Sequence, residues 1–228
     1  MTLIISGIFR FRVPCFHTRL TGIKKPDLDA PDHVYTFVQM LPVENKLEPK
    51  QGRLLIAEPF LNDGYFKRAV VLLVEHNKQG SLGFMLNRPM EITINEALPD
   101  FPEYSSSLYL GGPVQRDQLF YIHALGDKIE GSLPIGKNLW WNGSFDTIRE
   151  MIANKTITPN QLRFFVGYSG WEPGQLQKEM EEKSWYVAKS TPELIFSEDD
   201  GKLWTNAVKS MGKPFSVMVN FPEDPSLN

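Results

Sequence analysis

The sequence predicts an α+β fold carried by one continuous unit of chain. Short apolar, β-branched runs recur from Gly52 onward, each stopped by glycine, proline or turn residues. Between them lie segments with apolar residues at helical spacing behind a capping Ser or Thr. No proline/serine-rich linker, repeat, heptad or low-complexity tract divides residues 40–228, so they are expected to form a single compact domain. A chain of 228 residues has enough length to bury a substantial core.

The elements follow in order. Leu54-Leu55-Ile56-Ala57 reads as a short strand closed by Pro59, which has no N–H for a central ladder. Asn62-Asp63-Gly64 is turn chemistry. Residues 69–75 are almost continuously apolar, the pattern of a central strand covered on both faces. A turn over 76–80 leads into a strand over 81–86, which makes an antiparallel pair. Thr93, with Glu96 three residues on, has the capping-box spacing for a short helix that reaches Leu98 and stops at Pro99. Strands are expected over 107–110, 118–123 and 137–141. Ser144 caps a helix whose apolar side is Phe145, Ile148, Met151 and Ile152, ending near Asn154. Residues 162–168 form the next strand. Glu172-Pro173-Gly174 starts a helix with proline in its first turn, running to about Lys183. A last strand over 185–188 and a last helix over 203–211, stopped by Gly212 and Pro214, complete the chain.

Residues 1–39 read differently. They mix apolar, basic and proline residues without a period of two or 3.6, and Met40 then precedes a polar lead into the first strand. Either Met40 is the native start or residues 1–39 are a flexible arm; a peptide from residues 16–24 in the natural protein would establish the arm. The opening apolar run lacks a preceding basic stretch and is cut by Arg10 and Arg12, unlike a secretory signal. Charge divides at the same place. Residues 1–39 carry five Lys or Arg against three Asp or Glu, which leaves the rest acidic, 19 against 24. An acidic body is a poor surface for gripping phosphate backbones. Cys15 is the only cysteine, which excludes an intramolecular disulfide and a thiolate zinc cage and fits a cytoplasmic location. No apolar run approaches the roughly 18 to 20 residues that span a bilayer.

Four motifs hold the candidate functional residues. In Leu86-Asn87-Arg88-Pro89 the proline keeps Arg88 extended, so its guanidinium leaves the sheet in a fixed direction. That fork suits a carboxylate or phosphate; the alternative is a bridge to strand-end carbonyls or to Glu75. Gly111-Gly112-Pro113-Val114 offers backbone amides for an anion nest, or a structural turn where two segments approach closely. It is neither a phosphate loop nor a dinucleotide fingerprint. His123 ends the run Leu119-Phe120-Tyr121-Ile122, as His76 ends another, and each reads as a strand-end hydrogen-bonding residue. Gly167-Tyr168-Ser169-Gly170-Trp171 only superficially suggests a nucleophile elbow. That motif needs glycine two residues either side of serine, and position 171 is tryptophan. Small Ser169 and Gly170 would instead permit a sharp turn, with Trp171 packed under the next helix and its ring N–H on an acceptor.

Together with Gly52-Arg53-Leu54-Leu55-Ile56-Ala57 and Val70-Val71-Leu72-Leu73-Val74-Glu75-His76, these motifs resemble the YqgE/AlgH family, in a form similar to Bacteroidetes members. The resemblance covers about Gly52 to Lys189 and extends through Phe215 to Asn228. It implies a mixed, largely antiparallel curved β-sheet flanked by helices. It also brings a transcriptional-regulator label that stems from alginate control in one lineage. It carries no catalytic residues, metal or cofactor, and Ser169 stands where many members have alanine.

The leading expectation is a non-catalytic cytoplasmic regulatory or adaptor protein with a strand-end cleft for a protein or a small anionic ligand. The candidate cleft residues are His76, Asn87, Arg88, Gly111, Gly112, His123 and Trp171. One alternative is an enzyme using His76, His123 and Glu75, to be revealed by activity lost in His123→Ala. The other is direct DNA binding through the basic arm. No helix-turn-helix with a basic second helix supports it.

Overall fold

The computed structural model describes residues 45–222; the expectations for residues 1–39, the start at Met40 and the chain after 222 fall outside them. The described residues form ten strands: β1 Arg53–Ala57, β2 Val70–Asn77, β3 Gly80–Met85, β4 Pro89–Thr93, β5 Ser107–Leu110, β6 Val114–His123, β7 Leu133–Gly136, β8 Leu139–Trp141, β9 Leu162–Trp171 and β10 Trp185–Lys189. Among the described residues five α-helices join them: α1 Ile94–Ala97, α2 Phe145–Ala153, α3 Gln175–Glu181, α4 Pro192–Ile195 and α5 Asp200–Ser210. The strands lie in the order β10-β1-β2-β3-β9-β6-β8-β7, with β5 also on β9 and β4 on β5. The β5–β9 pair is parallel and the other pairs are antiparallel, giving a mixed sheet in an α+β domain.

β2 is central, between β1 and β3, and explains its own composition. Val70, Leu72 and Val74 face one core; Val71 and Leu73 face another, because successive side chains of a strand point to opposite faces. All five are fully buried. The first core fills the concave side of the sheet, where α5 adds Leu203, Trp204, Ala207 and Val208. The β7–β8 hairpin brings Ile135, Leu139 and Trp141 into this core beside Leu54 and Ile56 of β1. The sheet curls so far that Gln51 Nε2 donates to Pro134 O at 2.7 Å. On the outer side, α3 covers β1–β3, and α1 and α2 cover β5 and β9. α1 carries the expected capping box between Thr93 and Glu96, and Ser144 caps α2.

β9 is the hub. One edge pairs with β6 along its length. The other edge changes partner midway: Phe164–Val166 pair with β5, and Ser169–Trp171 pair with β3. The gap between β3 and β5 is closed by Gly111, whose N–H donates to Val166 O and whose carbonyl accepts from Met85 N–H, both at 2.9 Å. The segment runs so close to β9 that a Cβ on Gly112 would stand 2.2 Å from the Tyr168 carbonyl carbon. The close approach expected of this motif is therefore present.

Several boundaries differ from the sequence reading. Residues 89–93 form a strand despite opening on proline, which an edge strand tolerates because no partner needs that N–H. Residues 133–141 form a two-strand hairpin where one strand was expected. β6 starts at Val114 and β9 continues to Trp171, both longer than their apolar runs. α3 begins at Gln175 behind left-handed Gly174, so Pro173 precedes the helix. α5 begins at Asp200, capped by Asp199, three residues before its apolar stripe.

Candidate functional site

The site grows from Asn87. Its side-chain amide imitates a strand partner: Oδ1 accepts from Val70 N–H at 3.0 Å and Nδ2 donates to Arg68 O at 2.9 Å. This pins the entry to β2 and holds Arg68 at φ +50°, a left-handed conformation uncommon outside glycine. From there the Arg68 guanidinium lies 4.6 Å over the Trp204 ring of α5 and donates to Phe221 O. Arg88 leaves the end of β3 in the direction set by Pro89. It donates to Asn87 O at 3.0 Å and to the carbonyls of Lys67 and Tyr65. The bridge to strand-end carbonyls is therefore present, while Glu75 lies at the far end of the same hairpin. The Tyr65–Lys67 turn that Arg88 grips is itself organised by Asp63, which accepts from Tyr65 N–H and Phe66 N–H.

These groups form one wall of a cleft of about 320 Å³, lined by Lys67, Arg68, Asn87 and Arg88. The facing wall is the start of α5, with Asp200, Gly201, Trp204 and Thr205. Behind Asp200 sits Arg163, 5% exposed, on the first turn of pleat of β9. Its guanidinium donates to Leu86 O and Ser197 O and lies 4.3 Å over the Tyr109 ring. Tyr109 in turn donates to Asp200 Oδ2 at 3.1 Å. Burial pushes the Tyr109 hydroxyl up to about 12, keeping it a donor. Desolvation also raises Asp200, opposed by the Arg163 charge and the Tyr109 hydrogen bond. Arg163 was not anticipated, yet a lone cation in an apolar run is a legible signal, since a buried charge must be hydrogen-bonded.

Of the seven candidate residues, Asn87 and Arg88 line this cleft and the others lie elsewhere. His76 is exposed at the β2–β3 turn, its Nδ1 2.8 Å from Ser81 Oγ. Gly111 and Gly112 are buried in the β3–β5–β9 junction, where Ser169 Oγ donates to Gly111 O at 2.9 Å. Ser169 is fully buried, which removes it as a nucleophile. His123 has no exposed surface. Its Nε2 lies near Asn142 O and Ser132 Oγ, Nδ1 accepts weakly from Leu125 N–H, and Trp140 stacks on the ring. Burial lowers its pKa, as for a neutral imidazole serving the fold. Trp171 is buried under α3, with its ring N–H donating to Glu179 Oε2 at 2.8 Å, the arrangement its position required.

The physical reason these residues scatter is strand direction. β6 and β9 are antiparallel, so the residues ending them, His123 and Trp171, stand at opposite ends of the sheet. His123 pairs with Leu162, whereas Ser81, beside His76, pairs with Trp171. The two imidazoles are thus separated by the length of β9, roughly 30 Å at about 3.3 Å per residue. The His76, His123 and Glu75 enzyme site is corrected on that ground. Among the described residues no group of three or more His, Cys, Asp and Glu is placed to hold a metal, and no helix is long and apolar enough to cross a membrane.

Comparison with known proteins accords with this architecture. A family model described as AlgH-like matches residues 54–216. A UPF0301 protein of Chlorobium limicola is 45% identical over 184 residues, covering 81% of this chain and 97% of that protein. One from Parabacteroides distasonis is 41% identical over 186 residues, covering 81% and 94%. The solution structure of AlgH from Pseudomonas aeruginosa superposes with a TM-score of 0.60 at 29% identity, covering 78% of this chain and 98% of that one. A crystal structure of a Corynebacterium diphtheriae protein shares the fold, with a TM-score of 0.68 at 24% identity, covering 78% and 95%. The chain therefore belongs to the AlgH-like family of UPF0301 proteins.

Proposed function

We propose that this is a non-catalytic cytoplasmic regulatory or adaptor protein that works by binding a protein or small anionic ligand in the cleft between Arg88 and α5. The observation that carries the reading is the concentration of Lys67, Arg68 and Arg88 in one concavity of an otherwise acidic body. Two of these three are oriented by main-chain carbonyls, which fix their direction in advance of any partner and lower the ordering cost of binding. The surroundings are chosen for holding: a cation–π contact, an amide clasp and a tyrosine–aspartate hydrogen bond.

The test is quantitative capture from the natural source with wild type, Lys67→Glu and Arg88→Ala as baits. Lys67 is exposed, so its replacement reverses a charge without touching the core. The reading expects at least one protein or small-molecule partner recovered by wild type to fall by about tenfold or more in both variants. Equal recovery by all three baits would remove the cleft as the working surface.

A further inference from the structure

We infer that the cleft between Arg88 and α5 is the docking site of this chain's own acidic segment, Glu223-Asp224. The docking is argued from geometry; that it regulates access rests on the cleft being the working surface. Ser216–Asn220 form a 3-10 turn packed on the concave core, and Phe221 follows as its anchor. The Phe221 ring stacks on Phe60 with centroids 5.4 Å apart, and its carbonyl accepts from Arg68. Arg68 lines the cleft, as does Trp204 beneath its guanidinium. The chain is therefore delivered to the cleft rim at Phe221, and only Pro222 separates that anchor from Glu223. Covalent geometry from the held carbonyl limits the Glu223 Cα to within about 9 Å of the guanidinium.

The segment suits what it meets there. Pro222 holds Phe221 extended, at φ −71° and ψ 136°, and Pro225 restricts Asp224 in the same way. A chain already confined to extended geometry loses little freedom when it lies along a wall. The cleft offers the Lys67 ammonium, exposed on a flexible stem, and the Thr205 hydroxyl, and carboxylates accept from both. A volume of about 320 Å³ has room for two acidic side chains. Tethering decides the balance. One residue from its anchor, the carboxylate pair meets the wall at an effective concentration of about millimolar or more, so contacts too weak for a free peptide hold it in place. Asp200 limits that hold. Its carboxylate is fixed on Tyr109 at the facing wall and repels the pair, which leaves the segment displaceable by a partner that binds more tightly.

The experiment is NMR relaxation of the backbone amides of the full chain, in wild type, in Lys67→Glu and in the double variant Glu223→Gln, Asp224→Asn. Far-ultraviolet dichroism confirms that the variants fold. Order parameters at Asp224 and Ser226 are expected at about 0.8 in wild type and below about 0.6 in both variants. Salt at about 1 M, where the Debye length is about 3 Å, should loosen the wild-type segment in the same way. The amide resonances of Gly201 and Thr205 on α5 should shift in the double variant, because the carboxylates facing them are gone. An Asp224 order parameter below about 0.6 in wild type, or one that either variant leaves unchanged, would overturn the docking. Gly201 and Thr205 resonances indifferent to the double variant would overturn it as well. A mobile segment beside Lys67-dependent capture of a partner removes this occupant and leaves the cleft as the working surface. A docked segment with equal recovery by all three baits keeps the docking and removes the proposed function.

Discussion

Glu179 answers the hydrogen-bonding demand of two buried indoles at once. Its Oε2 accepts from Trp171 Nε1 and Trp185 Nε1, both at 2.8 Å, and its Oε1 accepts from Gln175 Nε2 at 2.9 Å. Glu179, Trp171 and Trp185 are all buried, so the two indole donors lack a water alternative. Glu179→Ala should therefore lower the unfolding free energy by about 3 kcal/mol, since two buried indole donors lose their acceptor. Glu179→Gln should cost about 1 kcal/mol, because its carbonyl oxygen keeps both indoles. Urea unfolding followed by tryptophan fluorescence measures both, and an alanine variant within about 1 kcal/mol of wild type would refute the account. The need of Trp171 for an acceptor was legible in the sequence, from a large amphipathic ring at a strand end. Glu179 was not, because it stands on a helix with Gln177, Lys178, Glu181 and Glu182, where one inward carboxylate looks like its solvated neighbours. The bridge from Arg88 to strand-end carbonyls was legible because the following proline keeps that residue extended as the strand ends.

At the scale of elements, the junction of β3, β5 and β9 depends on backbone passing backbone without side chains between. A Cβ on Gly111 would lie 2.2 Å from Gly167 O, and one on Gly112 would lie 2.3 Å from Ser169 N. Gly167 adds a left-handed φ of +69° inside β9, where the strand changes partner. These neighbours are main chain and sheet-bonded, so they cannot yield as a flexible side chain would. Gly112→Ala is expected to destabilise by about 3 kcal/mol or to prevent folding. Gly64→Ala, with nothing within 4 Å of its new methyl, should lie within about 1 kcal/mol of wild type. Thermal unfolding of the pair checks this, and equal melting temperatures would show that the crossing is not tight. The apolar runs marked β1, β2 and β3 clearly because periodicity and turn chemistry agreed there. They missed β4 and gave one strand over 137–141 where the β7–β8 hairpin stands, since those strands are short, polar or proline-bearing and depend on neighbours distant in sequence. Antiparallel pairing also defeated the expectation of one strand-end cleft, because motifs that all end strands then fall on two opposite rims.

The whole molecule adds a dependence on pH that no single element shows. Glu58, between β1 and β2, is largely enclosed, and burial raises its carboxyl from 4.5 to about 7 despite a hydrogen bond from Phe60 N–H. Between these values the folded state holds a proton that the unfolded chain releases, so stability falls as pH rises through that window and levels off above it. His123 acts with the opposite slope. Its folded pKa is held below 6.5, so its contribution is complete above that value and is lost as pH falls through the folded pKa. The two effects overlap in the mildly acidic range and flatten the profile there. Glu58→Gln removes one of them, since the amide keeps an acceptor for Phe60 and never charges. Above about pH 7 it should stabilise the protein by up to about 3 kcal/mol, and near pH 4, where Glu58 is protonated in both states, by almost nothing. The variant should then keep the His123 slope without the opposing one from Glu58, with stability rising more steeply than in wild type as pH increases towards 6.5. Urea midpoints measured for wild type and Glu58→Gln from about pH 4 to 8 decide it. Parallel profiles would mean that Glu58 is solvated in the folded state and that the β1–β2 connection is more open than its packing indicates.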